Sequence, residues 1–343
     1  MTLSALQGFR SLETHHCITG SVRHVYEYHG YPVTEELLLG LGAGVGFTYW
    51  HQKGTDPFYG GRANFERPGV EGLEKAVGRR TGVAVESHRT SSQRKARQSL
   101  LELLAAGRVV MIMVDMGYLP YLDLPEDYHF GAHAVVVAGY DRGSDQVLIA
   151  DRDPSLHPVS MEVLAKARGS TFKPFPPQHQ WYTFDFANKR APTPDEIRQA
   201  IREVCDGMLA PPISNFGVKG IRTAVRRTLE WPKIMDQKRL RWACLNIFIF
   251  IDAAGGTGGG IFRYMYGRFL REAADLTAEP RLSEIGAEMK AIGDRWQDVA
   301  AVFRRASEAP DPAALLPEAT SRMETIAEIE HGAWEALHTV VDS

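Results

Sequence analysis

Cysteine is scarce in this chain: Cys17, Cys205 and Cys244 are the only three in 343 residues. An odd and widely scattered set supplies neither a disulfide framework nor a CxxC metal site. An excess of either charge is also missing. The 39 Lys and Arg against 42 Asp and Glu leave a formal net charge of −3, which gives nucleic acid or an anionic membrane no electrostatic hold. The most apolar stretch, Leu245 to Ala254, covers about half of the roughly 20 residues that a membrane-spanning helix needs. The opening MTLSALQGFRSLE lacks the basic flank and apolar run of a secretory signal. A reduced, cytoplasmic protein with no nucleic-acid or membrane partner is therefore expected. Nucleotide-binding glycine patterns fail too: GLGAGVGF at 40–47 does not satisfy GxGxxG, and GGTGGG at 255–260 lacks the Lys-Ser/Thr of a P-loop.

What is present is ordinary globular material, 44% hydrophobic and 24% charged, enough for two domains. Residues 17–29 carry Ile18, Val22, Val25 and Tyr26 at helical spacing, with Gly30 as the stop. Thr34-Glu35-Glu36 opens a second helix that runs into the glycine-rich segment, expected as a loop. A helix near 69–80, the strand VAVES and a helix near 91–106 follow. RVVMIMVDM then reads as a strand buried on both faces. GAHAVVVAGYD, QVLIADRD and QWYTFDF complete a mostly antiparallel sheet, an α+β plan over residues 1–187. Thr193-Pro194-Asp195-Glu196 starts a wholly helical second domain, placed at 188–343. Arg79-Arg80 and the basic residues of 222–227 read as solvated helix faces.

A helix N-terminus is where a thiol is most readily made a thiolate, and Cys17 stands at one. Set against this, a free cysteine is most often a small buried residue. A nucleophile also needs a base, and a third group to fix that base's tautomer. His133 opens a strand between Ala132 and Ala134, and Asp151 closes the next one. A Cys helix packed on a sheet that carries His and then Asp is the arrangement of papain-like enzymes. Asp153 is a competitor for the third place, but Asp151 shares strand parity with Val147 and Ile149. His15, His16, His129 and His133 form a conceivable metal set in a strand-like context that fits it poorly, and no metal is expected.

HHCITGSVRHVYEYHG followed by EELLLGLGAGVGFTYW resembles the N-terminal domain of the butirosin biosynthesis protein H family. HAVVVAGYD and VLIADRDP match that family's His and Asp strands, and DAAGGTGGGIFRYMYGRFLREAA resembles the helical domain that follows it. The resemblance implies a papain-like fold with Cys17 as nucleophile, His133 as base and Asp151 as orienting acid. It implies acyl or aminoacyl transfer to an amine acceptor from the thioester of an acyl carrier protein, with coenzyme A as the other donor. No cofactor is implied beyond the phosphopantetheine that the donor itself carries. A cysteine peptidase or amidase using the same three residues is the alternative. The helical domain is expected to cover the active site, with His16, Gly44, Tyr49, Gly258 and Arg263 as substrate-binding candidates. Papain-like enzymes place an oxyanion-hole Gln a few residues before the Cys, whereas here the nearest is Gln7, ten residues upstream. The Cys17 backbone N–H and the side chains of His16 and Thr14 are its candidate substitutes.

Overall fold

The computed structural model describes residues 3–52, 55–67, 70–125 and 127–342. It is α+β and divides into two compact units. The first contains the described residues up to Leu38 together with Thr81–Arg190; the second contains Leu39–Arg80 and the residues from Ala191 onward. The second unit thus includes Leu39–Arg80, a segment expected in the first. That segment is claimed by its apolar side chains: Phe47 stacks on Trp296, and Tyr59 packs against Trp231 and Phe303.

In chain order the first half holds α1 (Cys17–Tyr28), α2 (Glu35–Leu41), β1 (Val45–Trp50), β2 (Phe58–Arg62) and α3 (Leu73–Thr81). Then come β3 (Ala84–His88), α4 (Gln93–Ala105), β4 (Val110–Val114), β5 (His133–Asp141) and β6 (Gln146–Ala150). The unit closes with β7 (Leu156–Ser160), α5 (Met161–Gly169) and β8 (Trp181–Asp185). Six of these strands make one antiparallel sheet in the order β3-β8-β4-β5-β6-β7. All five residues of β4 are buried, as its unbroken apolar run requires. Val110, Ile112 and Val114 join Val135 and Val137 of β5 in a core with Leu100 and Leu104 of α4 and Leu164 of α5. Each such side chain contributes about 1.5–3 kcal/mol by leaving water. α1 packs on β5 and β4.

α1 starts where His16 stands in extended conformation, and it stops ahead of Gly30, whose φ of 66° suits the left-handed exit. The Thr34 hydroxyl accepts from Leu37 N–H and caps α2. The glycine-rich segment corrects the expectation of a loop. Its second half is β1, in which Val45, Phe47 and Tyr49 are buried, and β1 pairs with β2. The glycines there are backbone approaches that hide an alternating strand pattern.

The second unit is otherwise helical: α6 (Pro194–Leu209), α7 (Gly217–Thr228), α8 (Trp231–Ile234), α9 (Gln237–Ile251), α10 (Arg263–Thr277), α11 (Arg281–Glu308) and α12 (Leu316–Asp342). Thr193 and Glu196 form a reciprocal capping box at the start of α6. Arg80 corrects the reading of a solvated basic face: it is fully buried, bound to Leu41 C=O and to Glu203. Among the described residues, no helix is long and apolar enough to cross a membrane.

Candidate active site

The segment before α1 is laid along the chain that follows β6. Thr14 N–H donates to Arg152 C=O at 2.9 Å, and Ser11 Oγ donates to Asp153 C=O at 2.7 Å. Gly20 makes this approach possible, because a Cβ there would collide with the Thr14 side chain. The N-terminus of α1 is thereby held beside the ends of β5 and β6, where His133 and Asp151 lie.

Glu35 fixes the same corner from α2. Its buried carboxylate accepts from His15 N–H at 2.7 Å, His16 N–H at 2.8 Å and Thr19 Oγ1 at 2.7 Å. Glu35 stands in the first turn of α2, where an acid is favourable, and the structure gives its charge to the N-terminus of α1 as well.

His133 Nε2 lies 2.8 Å from Asp151 Oδ2, with both side chains only 3% exposed. Its ring also hydrogen-bonds with the Cys17 thiol, and with Nε2 engaged, Nδ1 is the nitrogen left for sulfur. The thiol is hydrogen-bonded with a second imidazole as well, that of His16. Burial by itself would raise the Cys17 thiol. The charge of His16 and the hydrogen bonds from His133 and His16 outweigh burial and hold the thiol well below the ordinary cysteine value. His133 moves the other way. Burial disfavours its cation, yet the Asp151 charge and hydrogen bond, together with Cys17, push it up to about 10. For Asp151, burial opposes ionisation and is overcome by His133, Arg152 and Tyr121, so its carboxyl is lowered. The two shifts run in the sense that favours a thiolate beside an imidazolium.

Tyr121 was not found from the sequence. Its hydroxyl donates to Asp151 Oδ2 at 2.9 Å, and its ring stacks on His157 with centroids 4.0 Å apart. It lies in a short turn, Pro120–Leu122, where no periodicity marks a functional side chain. Asp153 is occupied elsewhere, accepting from Ser155 N–H and pairing with His157, so the geometry favours Asp151 over it.

The four histidines conceivable as a metal set do not converge on one point. His129 pairs with the buried Asp115 at 2.9 Å and stacks on Phe172, while His133 and His16 turn to the thiol. Among the described residues, no group of three or more His, Cys, Asp or Glu side chains is arranged to hold a metal ion. Cys205 and Cys244 are buried, and desolvation pushes both thiols up to about 12.

Two family models match. One, described as butirosin biosynthesis protein H, N-terminal, covers residues 16–152 and so contains Cys17, His133 and Asp151. The other, a domain of unknown function (DUF4872), covers residues 162–337. The chain belongs to the DUF4872 family, and ahead of that domain it carries the N-terminal domain of butirosin biosynthesis protein H. No curated protein matches it significantly. The family model and the α+β sheet unit agree on a papain-like N-terminal region.

Among the substrate-binding candidates, the structure brings His16 to the thiol. The other four, Gly44, Tyr49, Gly258 and Arg263, lie in the second unit. Arg263 is fully buried: Nε and Nη2 donate to Glu330, and Nη1 donates to Gly46 C=O and Ile261 C=O. Its guanidinium is committed to packing, with nothing offered to a ligand. Gly44 is buried in backbone bonds to Leu39 and Ala63, and a Cβ there would strike Leu73 and Leu39. The Tyr49 hydroxyl accepts from Trp231 Nε1 inside the core. Gly258 belongs to the turn between α9 and α10, with φ at 68°. Thr257 and Gln297 take up the amides of Gly259 and Gly260 in that turn. For the oxyanion, Gln7 is exposed at the surface, whereas Cys17, as first residue of α1, keeps its amide outside the helix's own ladder.

Proposed function

We propose that this protein is an acyltransferase that forms a Cys17 acyl-enzyme and passes the acyl or aminoacyl group to an amine, in specialised metabolite biosynthesis. The observation that carries this reading is the Cys17 thiol hydrogen-bonded to a His133 whose other nitrogen is held by Asp151. The family match supports it through the name of its first domain. The proposed donor is an acyl carrier protein or coenzyme A thioester. It brings its own phosphopantetheine, so the chemistry asks for no further cofactor.

In the proposed sequence the Cys17 thiolate attacks the thioester carbonyl. The tetrahedral intermediate collapses, its carbon–sulfur bond to the donor breaks, and His133 imidazolium protonates the departing thiol. Now neutral, His133 takes a proton from the incoming amine as nitrogen attacks the acyl-enzyme carbonyl. Cys17 then leaves as thiolate, the amide departs, and the thiolate–imidazolium pair is restored. Asp151 holds the ring and stabilises its cation throughout. The developing oxyanion is assigned to the Cys17 amide.

Intact-mass spectrometry tests this reading. Mixed with an acyl-pantetheine thioester that it turns over, the protein should gain one acyl mass, discharged as amide when the amine is added. Cys17→Ala should gain none. An adduct that yields only free acid with every amine offered would favour the hydrolase, and product formation by Cys17→Ala at the wild-type rate would end the covalent proposal.

A further inference from the structure

Two imidazoles act on the Cys17 thiol, those of His133 and His16, and each has a buried carboxylate behind it. Asp151 backs His133 directly. Glu35, only 1% exposed, backs His16 through one hydroxyl: His16 Nδ1 lies 3.1 Å from Thr19 Oγ1, and Thr19 Oγ1 lies 2.7 Å from Glu35 Oε1. An ionised carboxylate only accepts, so the single Thr19 hydroxyl hydrogen belongs to Glu35. The Thr19 oxygen then accepts from His16, which puts a hydrogen on Nδ1. The longer approach of Thr19 N–H to that nitrogen, 3.4 Å, is the contact that yields in this tautomer. Nε2 is the nitrogen that this tautomer makes able to take the thiol proton and, once protonated, to donate to a thiolate.

We propose that His16 is a second catalytic imidazole on the Cys17 sulfur, with Thr19 and Glu35 as its positioning residues. The division of labour follows from the chemistry. While His133 is occupied with the amine's proton, Cys17 must depart as an anion; His16, entering the cycle as an imidazolium with a proton drawn from solvent and keeping it throughout, donates Nε2–H to that anion. That step deepens the acyl-transfer reading and rests on it; activation of the free thiol does not. Among the described residues, the groups facing this pair include Cys17, Glu35 from α2, and His133 with Asp151 from the sheet, while Arg152 acts on Asp151 and Asp151 on His24.

The test is the pH dependence of Cys17 alkylation by iodoacetamide in wild type, His133→Ala, His16→Gln and the double variant. Glutamine keeps a hydrogen-bonding side chain at the cap position. With His16 still in place, His133→Ala should alkylate at pH 6 at least about tenfold faster than the double variant, one unit of thiol acidity. The double variant should follow an ordinary cysteine near pH 8.5. Thr19→Val in the His133→Ala background should lower the pH 6 rate in the same direction, and it serves where the double variant does not fold. Superimposable profiles for His133→Ala and the double variant, or a Thr19→Val profile that does not move, would overturn the proposal. Alkylation needs no acyl donor. A shifted profile without any acyl adduct would therefore count against the acyl-transfer reading alone.

Discussion

In the helical unit, Glu330 is fully enclosed on α12 and accepts from Arg263 twice, from Trp296 Nε1 and from Trp334 Nε1. In the sheet unit, Asp151 is nearly as buried, but both of its donors, His133 and Tyr121, fall on Oδ2. Its Oδ1 has no hydrogen-bond partner among the described residues. Both units place an acid, its cation and an aromatic side chain out of water. One centre is saturated, so its charges are spent on holding helices together. The other ends on a half-buried thiol between two imidazoles, where a proton has more than one place to go. The cysteines repeat the lesson: burial raises Cys205 and Cys244, while charged neighbours reverse its effect on Cys17.

Perturbing each centre should expose the difference. The largest effect is expected at the unsaturated one, where His133→Ala should slow acylation by about 10²–10⁴-fold, the usual worth of a positioned acid–base group. Single-turnover acylation would measure it, and urea unfolding should show little change. The saturated centre should behave in the opposite sense. Glu330→Ala leaves the Arg263 guanidinium buried and unpaired, and should cost about 3–5 kcal/mol in urea unfolding. A loss under about 1 kcal/mol would mean that this centre is not structural. Tyr121→Phe is the mildest change, removing one of two donors from Asp151 while the His133 contact stays. Acylation should fall by less than about tenfold, and stability by about 1.5–3 kcal/mol, as for a hydrogen bond to a charged group.

Legibility followed the range of the interactions. Local signals carried α1, the Thr193 capping box and the fully buried β4, because spacing and caps act within a few residues. Cys17, His133 and Asp151 were legible as helix start, strand start and strand end, since a sheet brings such ends together. Tyr121 was not, for a tyrosine in a short turn carries no pattern. The second role of Glu35 was not legible, because its partners stand at the start of a different helix. Glycines concealed β1, whose Val45 and Phe47 alternate with Gly44 and Gly46, residues without side chains. The Arg263–Glu330 pair spans 67 residues of sequence, yet one signal pointed to it. Glu330 sits in the apolar stripe of Met323, Ile326, Ala327, Trp334 and Leu337, where a lone acid must have a buried partner.

The account stands or falls on whether Cys17 is set apart from the other two thiols in the folded protein. Native protein would be treated briefly with iodoacetamide across a pH series, and each cysteine-containing peptide quantified by mass spectrometry. The account predicts rapid labelling of Cys17 at pH 6, with a midpoint well below the ordinary cysteine value near 8.5. Cys205 and Cys244 should stay unlabelled until the chain is unfolded. A Cys17 midpoint at or above 8.5, or equal labelling of all three, would contradict it.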